Sequence, residues 1–227
     1  MLTHIAKLIW NRKRSNILII TEVAISFIVL FAIISAGVYN YRIFYEPLGF
    51  NWENTWSVNF NTGGRWNNKT DKDQLKAIVE VLKQRPEISS VGVSGAPIFT
   101  NSGWRDLSVV NGVSVYSGLN TVNQDGPKDW GVELVAGRWF GEEDNGQNYI
   151  ETMVNQQFVD TAFAGQDPIN YEFSNPRNLG EAPRRIIGVF KAFRQQGEFS
   201  TPMPYMFDRY QFDEGNPFGV DNIHLKF

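Results

Sequence analysis

The alternation of apolar and polar positions divides this chain into a lipid-compatible segment and a long polar remainder. An apolar stretch runs from Ile17 to Tyr39. As a helix rising ~1.5 Å per residue it covers roughly 35 Å, enough to cross a hydrocarbon core of ~30 Å. The apolar region of a cleaved signal peptide is shorter, ~7 to 15 residues, so Ser35, Ala36 and Gly37 read as part of a span. Ala32 and Ala36 stand at a small-xxx-small spacing that lets a second helix approach closely, although apolar helices often contain such pairs by chance. Glu22 lies about one turn inside the run, where a carboxylate still reaches the interface.

After the span the period changes. Trp56, Val58 and Phe60 alternate with Ser57 and Asn59 and predict a strand over 55–60, with Trp56 in the core. Thr70 and Asp73 open a helix whose apolar face, Leu75, Ile78, Val79 and Leu82, repeats at helical spacing until Pro86. A strand is predicted over 91–98, and a hairpin over 107–116 turns at Asn111-Gly112. Asn155 is a candidate N-cap for a second helix with an apolar face of Phe158, Val159, Ala162 and Phe163, Gly165 closing it and Pro168 beyond. Strands are predicted over 149–154, 185–193, 203–207 and 223–227. The chain stops inside the last of these, so more polypeptide is expected beyond Phe227.

Charge sets the orientation. Residues 1–14 hold Lys7, Arg12, Lys13 and Arg14 and no acid, leaving 17 basic and 24 acidic residues downstream. Arg12, Lys13 and Arg14 therefore keep residues 1–16 cytoplasmic, with 17–39 spanning and 40–227 exported. Leu2, Ile5 and Ile9 recur at helical spacing, so the first segment is either a short amphipathic surface helix or a plain basic flank. The chain has no cysteine. An exported domain without disulfides depends on packing for stability, and thiolate chemistry is excluded.

Catalytic patterns are missing. No phosphate-binding G-x-x-x-x-G-K-[ST] occurs, so this chain does not hydrolyse ATP through a P-loop and any energy source must be a partner. His4 and His224 are the only histidines and lie at opposite ends, which argues against a triad or zinc site. The acidic turn at Glu142-Glu143-Asp144 resembles a calcium loop, but Gly141 and Thr152 occupy the positions that need carboxylates. Asp71 and Asp73 have the spacing of a metal-binding carboxylate pair, yet acids in a first helical turn are favoured by the dipole. Asn68-Lys69-Thr70 matches a glycosylation sequon and matters only in a host that modifies such sites. The chain is read as no enzyme, with no cofactor of its own.

The stretch Gly137-Arg138-Trp139-Phe140 with Asp144 resembles the "GR-x-F…D" signature of the periplasmic core domain in MacB-like ABC transporter permeases, within the broader FtsX/LolC group. Val154-Asn155 resembles that family's lead into a helix. Phe163, Gly165, Asp167, Pro168 and Ile169 are similar to its "lFG-x-d-P-i-G" block, with Asn170 replacing the usual Gly. Residues 185–193 resemble its "y-x-I-V-G-V-v-k-d-F" strand, with Ala192 where Asp is common. The blocks are co-linear over residues 130–193.

The resemblance implies an α+β chain: one N-terminal transmembrane helix, then a two-lobed mixed α/β periplasmic domain whose inserted lobe falls roughly within 115–205. It implies four transmembrane helices per permease, three of them after residue 227. It also implies an inner-membrane permease that pairs as a dimer, binds a cytoplasmic ABC ATPase and couples ATP hydrolysis to periplasmic motion, in export, efflux or mechanotransmission. A periplasmic adaptor is compatible with this, lipid surrounds the span, and no nucleic-acid partner is expected. Independently of the family, Gly137 suits a backbone conformation that excludes Cβ. Arg138 is placed to pair with Asp144, and Gly188 marks a close approach. Phe140, Asn155, Gly165 and Pro168 complete a signature read as structural.

The tryptophans offer a competing reading. Trp66 and Trp104, flanked by Gly, Asn and Arg, are candidate surface contacts, whereas Trp139 sits in the signature and reads as core. A single-pass sensor or glycan-binding module would use such rings. An anchored glycosyltransferase would instead depend on Asp71 and Asp73.

Overall fold

The computed structural model describes residues 13–60, 69–101, 103–176, 182–212 and 219–227. Two compact units, 1–46 and 47–227, are described separately. In the first, helix α1 (Lys13–Tyr45) contains an apolar stretch Ile17–Tyr45 of 29 residues, none of it buried over its most apolar window. The helix continues past Tyr39 because no Gly or Pro stops it and Asn40 Nδ2 donates to Ala36 O at 2.8 Å. It ends at Tyr45 because Pro47 disfavours helical geometry at Glu46.

The second unit is a mixed sheet with three short helices. In chain order it has β1 (Thr55–Asn59), α2 (Lys69–Lys83), β2 (Ser90–Ser94), β3 (Trp104–Val110), β4 (Val113–Val122), α3 (Gly126–Asp129), β5 (Leu134–Gly137), β6 (Ile150–Asn155), α4 (Gln156–Ala162), β7 (Glu172–Phe173), β8 (Arg184–Phe190), β9 (Tyr205–Arg209) and β10 (Asn222–Lys226). The strands order as β1-β10-β2-β4-β9-β6-β8-β5, with β3 hairpinned to β4 and β7 to β8. The Asn111-Gly112 turn has φ of +50° and +77°, the left-handed pair that a two-residue hairpin needs. The hairpin is longer than its sequence signal, extending to Trp104 and Val122.

Three apolar clusters hold the unit together. Helix α2 lays Leu75 and Val79 on Val91, Val93 and Ile223. Helix α4 lays Phe158, Val159 and Phe163 on Val154, Ile186 and Met206. The other face of the same strands carries an aromatic cluster of Phe50, Trp130, Phe140, Phe190, Phe193 and Phe207. Because β6, β8 and β9 are covered on both faces, they read as continuous apolar runs rather than alternating ones.

Strand β1 departs from the expectation. Trp56 and Val58 are 66% and 45% exposed; Trp56 rests only its edge on Phe227 at 5.3 Å between centroids. They share a sheet face with Leu225 and Ile223 through the register Trp56↔Leu225 and Val58↔Ile223. The packed face of α2 is engaged with β10 and β2, so Trp56 belongs to the edge of the sheet and not to the core. Alternation identifies a strand but not whether a helix covers both of its neighbours.

Between β2 and β4 the sheet has a seam. Only Ser94↔Val122 pair in register, flanked by main-chain bonds from Gly95 N–H to Thr121 O at 2.8 Å and from Asn123 N–H to Val93 O at 3.0 Å, and side chains extend the joint. Asn120 Oδ1 accepts Ala96 N–H at 3.0 Å while Asn120 Nδ2 donates to Ala96 O at 2.9 Å. Asn123 Oδ1 accepts Val93 N–H at 3.0 Å. These amides satisfy backbone groups that an ordinary ladder would pair.

Beside the seam, His224 is 3% exposed and packs edge-on against Trp130. Its Nε2 lies 2.5 Å from Ser94 Oγ, whose proton goes to Ala96 O, so the ring donates from Nε2. Nδ1 has no hydrogen-bond partner. Burial pushes this imidazole down from 6.5 to about 4. The unfolded chain therefore binds the proton better, and His224 costs stability progressively as pH falls from about 6.5 to about 4, by about 3 kcal/mol in all. Equilibrium urea unfolding should show that loss, and His224→Leu should flatten it; an unchanged profile would contradict a neutral buried ring.

Candidate functional site

The signature residues converge where β5 crosses β8. Strand β5 ends at Gly137, which pairs with Gly188 and has φ +73°. A Cβ at Gly137 would lie 2.3 Å from Ile187 O and 2.8 Å from Gly188 Cα, and one at Gly188 would lie 2.4 Å from Arg138 O. Two glycines are needed because the two backbones touch there. The crossing throws the chain outward at Arg138 and returns it through a 3₁₀ turn, Glu142–Asp144.

Asp144 closes that turn. Its side chain is 1% exposed, and it accepts Arg138 Nη1 at 2.7 Å and Gly141 N–H at 3.0 Å. Arg138 Nη2 makes the second arm of the fork to Asp144 Oδ1. Burial alone would raise this carboxyl, but the bonds from Arg138 and the Gly141 amide outweigh it and hold the group below its ordinary value. Phe140, 2% exposed, drops into the aromatic cluster, and Trp139 packs on the same cluster from its rim.

The other signature residues brace the neighbouring helix. Asn155 Oδ1 accepts Phe158 N–H at 3.0 Å as the N-cap of α4 and Tyr205 N–H at 2.9 Å from β9, while its Nδ2 donates to Met203 O at 2.9 Å. Gly165 follows α4 at φ +88° and Pro168 is buried. Asn170, where the family pattern has Gly, adopts φ +64°, a conformation that Asn tolerates better than most residues.

A cleft of about 370 Å³ lies beside this turn. Glu142 and Asn145 from the turn form one wall, Glu80 and Lys83 of α2 another, and Arg209 and Tyr210 the floor. Arg209 Nη2 donates to Asn145 Oδ1 at 2.8 Å. The Tyr210 hydroxyl is buried without a hydrogen-bond partner, and burial pushes it up to about 12. The cleft has polar groups of both signs but no nucleophile paired with a base. Among the described residues no cluster of His, Cys, Asp or Glu is placed to hold a metal ion.

A second polar group went unrecognised in the sequence. Arg184 is 1% exposed and donates from Nε to Asp208 Oδ2 at 2.9 Å, with Nη1 3.0 Å from Asp106 Oδ2. Thr152 Oγ1 adds a bond to Asp208 at 2.7 Å, and Asn175 donates to Asp106. These residues come from β3, β6, β8, β9 and the chain after β7, a convergence that no local pattern reports. Of the topology and surface candidates, Lys13 and Arg14 open α1, Trp104 is 60% exposed at the start of β3, and Arg12 and Trp66 lie outside the described residues.

A sequence profile described as the MacB-like periplasmic core domain matches residues 17–226. Among solved structures, the periplasmic region of MacB from Actinobacillus actinomycetemcomitans superposes with a TM-score of 0.52 at 19% identity, covering 82% of this chain and 79% of that one. The extracellular domain of the noncanonic ABC-type transporter YknZ from Gram-positive bacteria gives 0.49 at 13% identity, covering 76% and 83%. No curated protein matches the chain in sequence.

Proposed function

Because this chain belongs to the MacB-like periplasmic core domain family of ABC transporter permeases, we propose that it transmits ATP-driven motion from a cytoplasmic ATPase to an extracytoplasmic domain. The chain itself binds no nucleotide in this reading. A separate ATPase supplies the energy, a second permease copy completes the unit, and residues 1–16 stay on the cytoplasmic side of the inner membrane. The work done is export, efflux or mechanical signalling rather than catalysis.

One observation carries the reading: α1 runs without a break from Lys13 to Tyr45, six residues past the 17–39 span expected from the sequence, and Pro47 already belongs to the folded domain. A helix that enters a domain through so short a connection transmits tilt, because helical hydrogen bonds keep the segment stiff. Within the domain we assign β1, β10, β2 and α2 to one lobe and the hairpin-to-β9 segment to the inserted lobe, with the seam between them. The fixed turn at Arg138 and Asp144 suits a part that must move as a body.

Inserting Gly-Pro after Tyr39 is expected to abolish ATP-driven export by the permease that contains this chain, reconstituted with its ATPase in lipid vesicles, while membrane insertion persists. Full export by that variant would overturn the lever.

A further inference from the structure

Helix α3 (Gly126–Asp129) follows β4 in the chain, yet it lies on strands from the other side of the seam. A Cβ at Gly92 of β2 would stand 3.4 Å from Gly126 Cα and 3.7 Å from Asp129 Oδ2. Lys226 Nζ of β10 donates to Asp129 O at 2.9 Å. Lys83 Nζ of α2 pairs with Asp125, the residue before α3, at 3.7 Å. Directly after the helix, buried Trp130 meets His224 of β10 edge-on. These contacts tie α3 and its flanks to α2, β2 and β10.

One group in this joint is poorly accommodated. Asp129 Oδ2 is buried with no hydrogen-bond partner, although an ionised carboxylate accepts several bonds in water. Ser90 Oγ of β2 is likewise buried without one. Burial first, and then the charge of Asp125, push the Asp129 carboxyl up from 3.8 to about 6, against the pull of Ser90, Lys226 and Lys83. Lys128, within α3, is exposed, and the loop before β1 presents uncharged Asn51, whose N–H donates to Trp130 O at 2.6 Å. His224 is held down at about 4 by burial, so its ring stays largely neutral in the fold while Asp129 titrates.

We infer that α3 is a proton-controlled clasp between the two lobes, tightened when Asp129 carries a proton and loosened when it ionises. Linkage gives the reason. Lifted off β2, Asp129 returns to water and to its ordinary value, so the docked helix binds the proton better than the undocked one. Docking therefore strengthens as pH falls through about 6 and is weakest above it. For a carboxyl that moves between 3.8 and about 6, the step from pH 7 to pH 5 shifts the docking equilibrium by roughly tenfold. The inference rests on the lobes assigned above and not on the α1 lever, so the two fail separately.

Two measurements on the full chain in lipid nanodiscs test it. Deuterium uptake over residues 126–131, corrected for the intrinsic exchange rate at each pH, reports the opening of α3. Its protection should rise about tenfold from pH 7 to pH 5, and Asp129→Asn should make it equal at both. The chain has no cysteine, so Lys76→Cys of α2 and Val113→Cys of the hairpin take a nitroxide pair, whose distance distribution should narrow over the same step. Protection that ignores pH in the parent chain refutes the clasp, whether or not the Asp129 variant folds. Protection that still changes with pH in Asp129→Asn assigns the proton to another group and refutes it too. If protection changes while the distance distribution does not, α3 opens without joining the lobes, and the clasp is equally refuted. The lever is judged by export of the Gly-Pro variant, whose result leaves these readings unchanged.

Discussion

Arg184→Met is expected to destabilise the domain by about 3–5 kcal/mol, the usual cost of removing one partner from a buried ion group. Arg184 and Asp208 expose 2% and 1% of their side chains, so the carboxylates of Asp106 and Asp208 would be left facing each other without their cation. For a domain of this size ~1 kcal/mol moves the midpoint by about 2–4 °C, so thermal unfolding should fall by roughly 6–20 °C. The triple change Asp106→Asn, Arg184→Met and Asp208→Asn should recover a substantial part of that loss, since removing the whole group avoids the uncompensated charges. If the triple variant were no better than the single one, the damage would come from lost packing, and the ionic account would fail.

Gly137→Val is expected to be of similar size for a steric reason. A Cβ at Gly137 would stand 2.3 Å from Ile187 O, and backbone cannot step aside as a flexible side chain can. Overpacking costs ~1–3 kcal/mol, and forcing a β-branched residue to φ +73° adds ~1–2 kcal/mol. The combined loss of about 2–5 kcal/mol should appear in denaturant unfolding of the full chain. Gly146→Ala serves as the control, because no atom lies within 4 Å of its missing Cβ although its φ is +75°. Equal losses at 137 and 146 would show that dihedral strain, and not backbone contact, is what makes Gly137 necessary.

The parts of this fold that were legible in the sequence are those in which neighbours along the chain determine the outcome. The α1 run, the Asn111-Gly112 hairpin and the Asn155 cap all depend on residues within a few positions of one another. Gly188 was recognisable as a close approach and Gly137 as a backbone conformation that excludes Cβ, although the sequence did not say that the two meet. The Arg184 group was illegible because its members come from strands brought together only by the final topology. Trp56 was misplaced for a related reason: whether an alternating strand is buried depends on where α2 settles across the sheet, which the strand's own residues do not encode. The boundaries of β2 and of the hairpin shifted where Asn120 and Asn123 bond Ala96 and Val93 beside the single registered pair Ser94↔Val122, and an Asn in a strand looks from sequence like a turn residue.

The Asn120 and Asn123 joint has an evolutionary consequence. Ladder bonds belong to the main chain and are the same whatever residue is present, so substitution cannot retune them. Where side-chain amides add to a short ladder, as here, part of the stiffness of the joint becomes a heritable variable that a single codon can adjust. Relatives needing a looser or firmer connection between the β10 side and the β9 side can reach it by point mutation, with no rebuilding of either half.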